Sequence, residues 1–106
     1  MNYTLRFLPE IEDDLFNAYS WYESKSKGLG EEFIRLFYAL SSEISRNPLM
    51  YQKIHGEIRR KLLRRFPYGI YFITVDDIVK IVGLFNCARN PKTTFKKLRD
   101  RHKASI

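Results

Sequence analysis

Cysteine and histidine are scarce in this chain of 106 residues, which has one Cys and two His. Cys87 alone can form neither an intrachain disulfide nor a sulfur-based metal cluster, and this fits a reducing compartment. A nucleophilic cysteine needs a nearby base, but His55 lies beside a glycine and His102 lies in the charged C-terminal tail. We therefore predict that Cys87 is a small, buried structural thiol, and we expect no metal and no cofactor.

Long apolar runs and nucleotide-binding motifs are also missing. No stretch of about eighteen apolar residues occurs, and the first ten residues lack the charged and apolar regions of a signal peptide. The chain contains no P-loop, no HExxH and no glycine-rich dinucleotide loop. We expect a cytoplasmic protein without a membrane partner, and we interpret the acidic cluster at residues 10–14 as compensation of a helix dipole.

Apolar and aromatic residues are plentiful, at 44% and 15% of the chain, so a packed core is expected. The length suits a single domain over residues 1–106. The net charge of +7 is unevenly distributed, because residues 1–50 carry −3 and residues 51–106 carry +10. A positive second half favours an acidic partner, either nucleic acid or an acidic protein segment.

Hydrophobic periodicity predicts an α+β fold in the order β-α-α-β-β-β with a short C-terminal helix. The helical pattern ends where Asn47 precedes a proline, and Asp76-Asp77 supplies the tight turn of a hairpin. We expect a two-layer arrangement, an antiparallel sheet with a helical hairpin packed on one face. The predicted strands are residues 3–8, 57–66, 68–75 and 78–85, and the predicted helices are residues 9–24, 31–47 and 92–102.

Side chains suited to binding occur in two groups. Cations and aromatic residues alternate in the second half, as on surfaces that grip nucleic acid, although a charged strand edge that prevents aggregation is the alternative for any single residue. The candidates for contact with a target are Arg60, Arg65, Tyr71, Arg89, Lys96 and Lys97. In the first half, Phe16 and Trp21 lie off the apolar stripe of their helix. They are candidates for contact with a partner, although we favour core packing for Trp21.

The order and spacing of several short motifs resemble the ParE/RelE superfamily of small bacterial toxins, in particular its ParE-like or plasmid-stabilisation branch. The resemblance covers nearly the whole chain. It is carried by Trp21-Tyr22-Glu23, Gly28-Leu29-Gly30-Glu31-Glu32-Phe33, Asn47-Pro48, Arg59-Arg60, Phe66-Pro67-Tyr68-Gly69-Ile70-Tyr71-Phe72 and Ala88-Arg89-Asn90-Pro91. It implies a toxin of a type II toxin–antitoxin system, neutralised by a cognate antitoxin whose acidic segment would suit a basic chain.

The superfamily divides by mechanism, and the resemblance can be followed residue by residue. RelE-like members cleave mRNA on the ribosome with arginines and a C-terminal tyrosine or histidine. Here the arginine early in the third strand is replaced by Gly69 and the tyrosine by Phe95, while Arg89 is kept. If the chain were a ribonuclease, its catalytic residues would be Arg60, Arg65, Arg89 and His102, the last in a tail that we expect to fray.

The incomplete constellation favours a protein that is not an enzyme. ParE-like members bind and inhibit DNA gyrase, so the resemblance implies gyrase as the target. The alternative is a RelE-like, ribosome-dependent mRNA endonuclease. A basic nucleic-acid-binding module and a toxin that has lost its activity remain as further alternatives.

Overall fold

Residues 3–104 are described by a computed structural model of the protein, and within them the chain forms three helices and five strands. A single 3-10 turn, Pro48–Met50, follows the second helix. The elements are β1 (Thr4–Phe7), α1 (Glu10–Lys25), α2 (Leu29–Arg46), β2 (Lys53–His55), β3 (Ile58–Leu62), β4 (Tyr68–Val75), β5 (Ile78–Asn86) and α3 (Pro91–Ala104). The expected α+β fold is confirmed, with β2 as an addition inside the segment predicted as a loop.

The helical hairpin is closed by contacts between the end of α1 and the start of α2. Glu23 accepts hydrogen bonds of 2.9 Å from the backbone N–H groups of Gly28 and Gly30, and so satisfies donors that the first turn of a helix leaves free. Gly28 has φ of +86°, which favours glycine. At Gly30 a Cβ atom would lie 2.7 Å from the backbone oxygen of Tyr19, so only glycine allows this close approach of the two helices.

The sheet has the strand order β1-β5-β4-β3-β2. Its pairs are antiparallel except that β1 runs parallel to β5, so the prediction of a wholly antiparallel sheet is wrong for this strand. The Asp76-Asp77 turn joins β4 and β5 as predicted, with Asp76 at φ of +55°. No local turn joins β1 to β5, and the local pattern therefore does not determine their relative direction.

Helices cover both faces of the sheet. The larger core lies between the sheet and the α1–α2 pair, where Phe33, Phe37 and Phe72 have no exposed surface. On the opposite face, α3 packs through Leu98 against Tyr71, Ile73, Val82 and Phe85. The expected helix pair on one face is confirmed, and α3 adds a smaller third layer.

Two side chains expected in the core lie at the surface. Trp21 is 57% exposed, with the Lys25 ammonium group 4.1 Å from its ring centroid, because Ile11, Leu15 and Ala18 form the buried stripe of α1. Cys87 is also exposed, because β5 and its buried side chains end before it. The predictions that Trp21 packs in the core and that Cys87 is buried are therefore wrong.

Candidate functional site

A small cavity of about 40 Å³ opens between the sheet and the first turn of α3. Arg60 comes from β3, Tyr71 from β4, and Cys87 and Arg89 from the turn after β5. The complete lining is Arg60, Tyr71, Asn86, Cys87, Arg89, Pro91, Thr94 and Phe95. The fold thus brings together three of the predicted target-binding residues, Arg60, Tyr71 and Arg89.

Gly69 makes room for the side chain of Arg60. A Cβ atom at Gly69 would lie 3.1 Å from Cδ of Arg60 and 3.3 Å from Sγ of Cys87. These distances are shorter than ordinary contacts between carbon or sulfur atoms, so a side chain at residue 69 would require Arg60 and Cys87 to shift by a few tenths of an ångström. Gly69 therefore leaves space for the cationic side chain of Arg60 and carries no charge itself.

Tyr71 is a buried polar residue at this cavity, with 3% of its surface exposed, and Thr94 is another. Burial raises the pKa of its phenol, the Cys87 thiol acts in the same direction, and the nearby Arg60 opposes them. The Tyr71 hydroxyl lies 4.0 Å from Sγ of Cys87. Because the phenol is inaccessible and binds its proton more tightly than a free tyrosine, it is poorly suited to protonate a substrate.

Arg89 extends the positive surface towards α3. It also lines a second cavity, of about 100 Å³, together with Asn86 and Lys97. The Lys97 ammonium group lies 5.8 Å from the ring centroid of Phe85, and Lys96 is exposed on the same helix. We call the surface formed by Arg60, Arg89 and Lys97 the basic face.

An apolar groove lies on the other side of the protein, beside β1 and the helix pair. It has a volume of about 640 Å³, and the ring of Phe16 in its lining is 64% exposed. Phe7 and Tyr38 add further exposed aromatic surface. The lining residues are Phe7, Leu8, Pro9, Ile11, Glu12, Leu15, Phe16, Tyr19, Ile34 and Tyr38. An exposed apolar groove of this kind is typical of a protein-binding site.

Metal sites and membrane-spanning helices are absent from residues 3–104. No group of three or more His, Cys, Asp or Glu side chains suited to a metal ion occurs there. No helix within the same range is long and apolar enough to cross a membrane. The basic face and the apolar groove are the two candidate binding surfaces of the described residues.

Known proteins resemble the chain in sequence and in fold, although no family model matches it. Toxin ParE2 of Mycobacterium tuberculosis, from strains CDC 1551 / Oshkosh and ATCC 25618 / H37Rv, is 26% identical over 102 residues, 95% of this chain and 97% of the relative. The chain is therefore similar in sequence to ParE toxins. A solved structure, the chromosomal ParDE TA system from P. aeruginosa, shares the fold with a TM-score of 0.70 at 13% identity, over 79% of this chain and 95% of that one.

Two of the predicted basic residues lie apart from the basic face. Arg65 forms an ion pair with Glu32 of α2, on the side of the sheet that carries the helix pair. His102 lies in the last turns of α3, about 10 Å along the helix axis from Phe95. It is partly buried within a continuous helix, so the prediction of a frayed tail is wrong for this residue.

Sequence reasoning missed His55 and Asp14 in this ParE-like fold. His55 stacks on Phe95, with ring centroids 4.9 Å apart and planes at 11°. Its position in β2 was hidden because that strand is only three residues long. Asp14 was interpreted as a helix-dipole residue, but it forms an ion pair with Arg101, a partner that lies too far along the chain for a local pattern to indicate.

Proposed function

We propose that this protein is the toxin of a type II toxin–antitoxin pair, that it binds and inhibits DNA gyrase through the basic face, and that a cognate antitoxin neutralises it. The observation that carries the proposal is the basic face itself, in which Arg60 and Arg89 surround a cavity of only about 40 Å³. The ParE2 relatives support the toxin assignment, and gyrase is the target that the resemblance to ParE-like members implies.

The arrangement of the basic face suits binding better than catalysis. RNA cleavage needs a group that can give a proton to the leaving oxygen and groups that stabilise the charged phosphate. Phe95 has no proton to give, Tyr71 is buried with a raised pKa, and His102 is on the far part of α3. The residues that the resemblance assigns as acids therefore supply none at the basic face, although the imidazole of His55 stacks on Phe95 beside it.

The apolar groove suits the antitoxin. A basic chain attracts an acidic partner segment, and the exposed Phe16 offers that segment an apolar anchor. Trp21 is likewise exposed on α1, but it lies outside the lining of the groove. We propose that both residues contact the antitoxin while the basic face contacts gyrase, so that the two partners use different surfaces.

The proposal is tested by adding the purified protein to DNA gyrase and measuring supercoiling and cleaved DNA, beside a cell-free translation reaction. We expect inhibited supercoiling, accumulated cleaved DNA and unaffected translation. Normal supercoiling together with halted translation and cleaved mRNA would overturn the gyrase assignment in favour of the endonuclease. Growth of cells that express the chain with and without the adjacent small open reading frame tests neutralisation.

A further inference from the structure

The helix that carries Lys96 and Lys97 has few contacts of its own with the rest of the protein. In the α3 residues whose side chains are described, Leu98 is fully buried and Thr94 is 6% exposed, while most of the others are exposed. Like charges stand four residues apart at Lys97 and Arg101 and at Arg99 and Lys103, an arrangement that destabilises an isolated helix. The position of α3 therefore depends on its docking contacts.

The strongest of these contacts is the ion pair between Arg101 of α3 and Asp14 of α1. The two guanidinium nitrogens lie 2.7 and 2.9 Å from the two carboxylate oxygens, a bidentate geometry. The side chains are only 15% and 10% exposed. Burial alone would lower the pKa of Arg101, but the hydrogen bonds and charge of Asp14 outweigh it and raise the pKa.

The same ion pair covers the part of the edge of β5 that β1 leaves unpaired. β1 pairs with β5 only as far as Ile81, and a bulge in β5 follows. Beyond that point, Arg101 donates to the carbonyl oxygen of Val82 at 3.1 Å, and Asp14 accepts from the N–H of Leu84 at 3.2 Å. One ion pair thus connects α1, β5 and α3 through partly buried hydrogen bonds.

We propose that Asp14 and Arg101 are positioning residues, which lock α3 against β5 and so hold Lys97 beside Arg60 and Arg89 in one binding surface. The proposal rests on the proposed function for the identity of the target. It assigns Asp14, a member of an acidic cluster on the negatively charged half of the chain, a role in the geometry of the basic face.

The test uses Asp14→Asn, Arg101→Met and the double variant, each as the full chain, with amide hydrogen exchange followed along α3 and β4. The double variant is needed because each single change leaves one buried group without its partner. We expect α3 amides to exchange about 10- to 100-fold faster in all three variants, while the exchange of β4 amides in the double variant stays close to that of the wild type. Asp13→Asn and Arg99→Met are matched controls, because they remove the same charges from exposed neighbouring residues.

Measuring gyrase inhibition distinguishes a role of the ion pair in positioning α3 from a role in the stability of the whole protein. We expect the double variant to recover the thermal stability lost by the single variants yet to inhibit supercoiling about tenfold less well than the wild type. Unchanged exchange in α3, or faster exchange with full inhibition, would overturn the proposal. If the wild type itself does not inhibit gyrase, the proposed function fails, while the exchange rates still decide whether this ion pair locks α3.

Discussion

The carboxylate of Glu23 in α1 lies 2.9 Å from the backbone N–H of Gly30 in the first turn of α2. The second oxygen of the same carboxylate bonds to the N–H of Gly28. This side chain therefore does for α2 what an N-cap residue does in other helices, and it does so from the preceding helix. This junction explains Glu23, Gly28 and Gly30 within the Trp21-Tyr22-Glu23 and Gly28-Leu29-Gly30 motifs.

Replacing Glu23 tests the junction. We expect Glu23→Ala to lower the free energy of unfolding by about 1–2 kcal/mol, because two N–H donors lose their acceptor. Urea denaturation measures the change, with Glu31→Ala as the control, since Glu31 is exposed in the first turn of α2. Equal losses for the two variants would show that only the negative charge near the helix terminus matters.

Replacing Phe16 tests the apolar groove. We expect Phe16→Ala to weaken binding of the cognate antitoxin by about tenfold or more, with little change in stability because the ring is 64% exposed. Met50→Ala is a matched control, as Met50 is equally exposed but lies in the 3-10 turn outside the groove. Titration calorimetry measures both affinities, and an unchanged affinity for Phe16→Ala would place the antitoxin elsewhere.

Alkaline pH tests the buried phenol of Tyr71. Its pKa is raised above the ordinary value of 10.0, chiefly by burial, so the folded state holds the proton more tightly than the unfolded state. The contribution of the neutral phenol to the free energy of unfolding is fully present below pH 10. It is lost as the pH rises through the folded-state pKa. We expect Tyr71→Phe to lose less stability than the wild type over that range, as measured by denaturation at a series of pH values. A parallel decline in both proteins would contradict this assignment.

The sequence predicted the helices and most of the strands, because an apolar stripe or a turn involves residues that are close along the chain. The stripe through Phe33, Phe37 and Ile44 defined α2, and the Asp76-Asp77 turn defined the last hairpin. The parallel pairing of β1 and the partnership of Asp14 with Arg101 depend on contacts between distant residues, which no local period encodes. Cys87 was misassigned because it follows an apolar strand, although the chain turns to the surface just before it.

The candidate site was predictable in part for the same reason. The basic and aromatic pattern of the second half indicated Arg60 and Tyr71 as target contacts, and the superfamily motif indicated Arg89. The pattern could not separate Arg65 from them, because Arg65 follows the end of β3, where alternation stops, and its partner Glu32 lies on α2.

Supercoiling in the presence of Arg89→Gln measures whether gyrase binds to the basic face. The matched control is Arg65→Gln, which removes the same charge from an exposed arginine on the other side of the sheet. We predict that the wild type and Arg65→Gln inhibit gyrase with similar potency and that Arg89→Gln is weaker by about tenfold. Equal potency of all three proteins would show that gyrase does not bind to the basic face through Arg89.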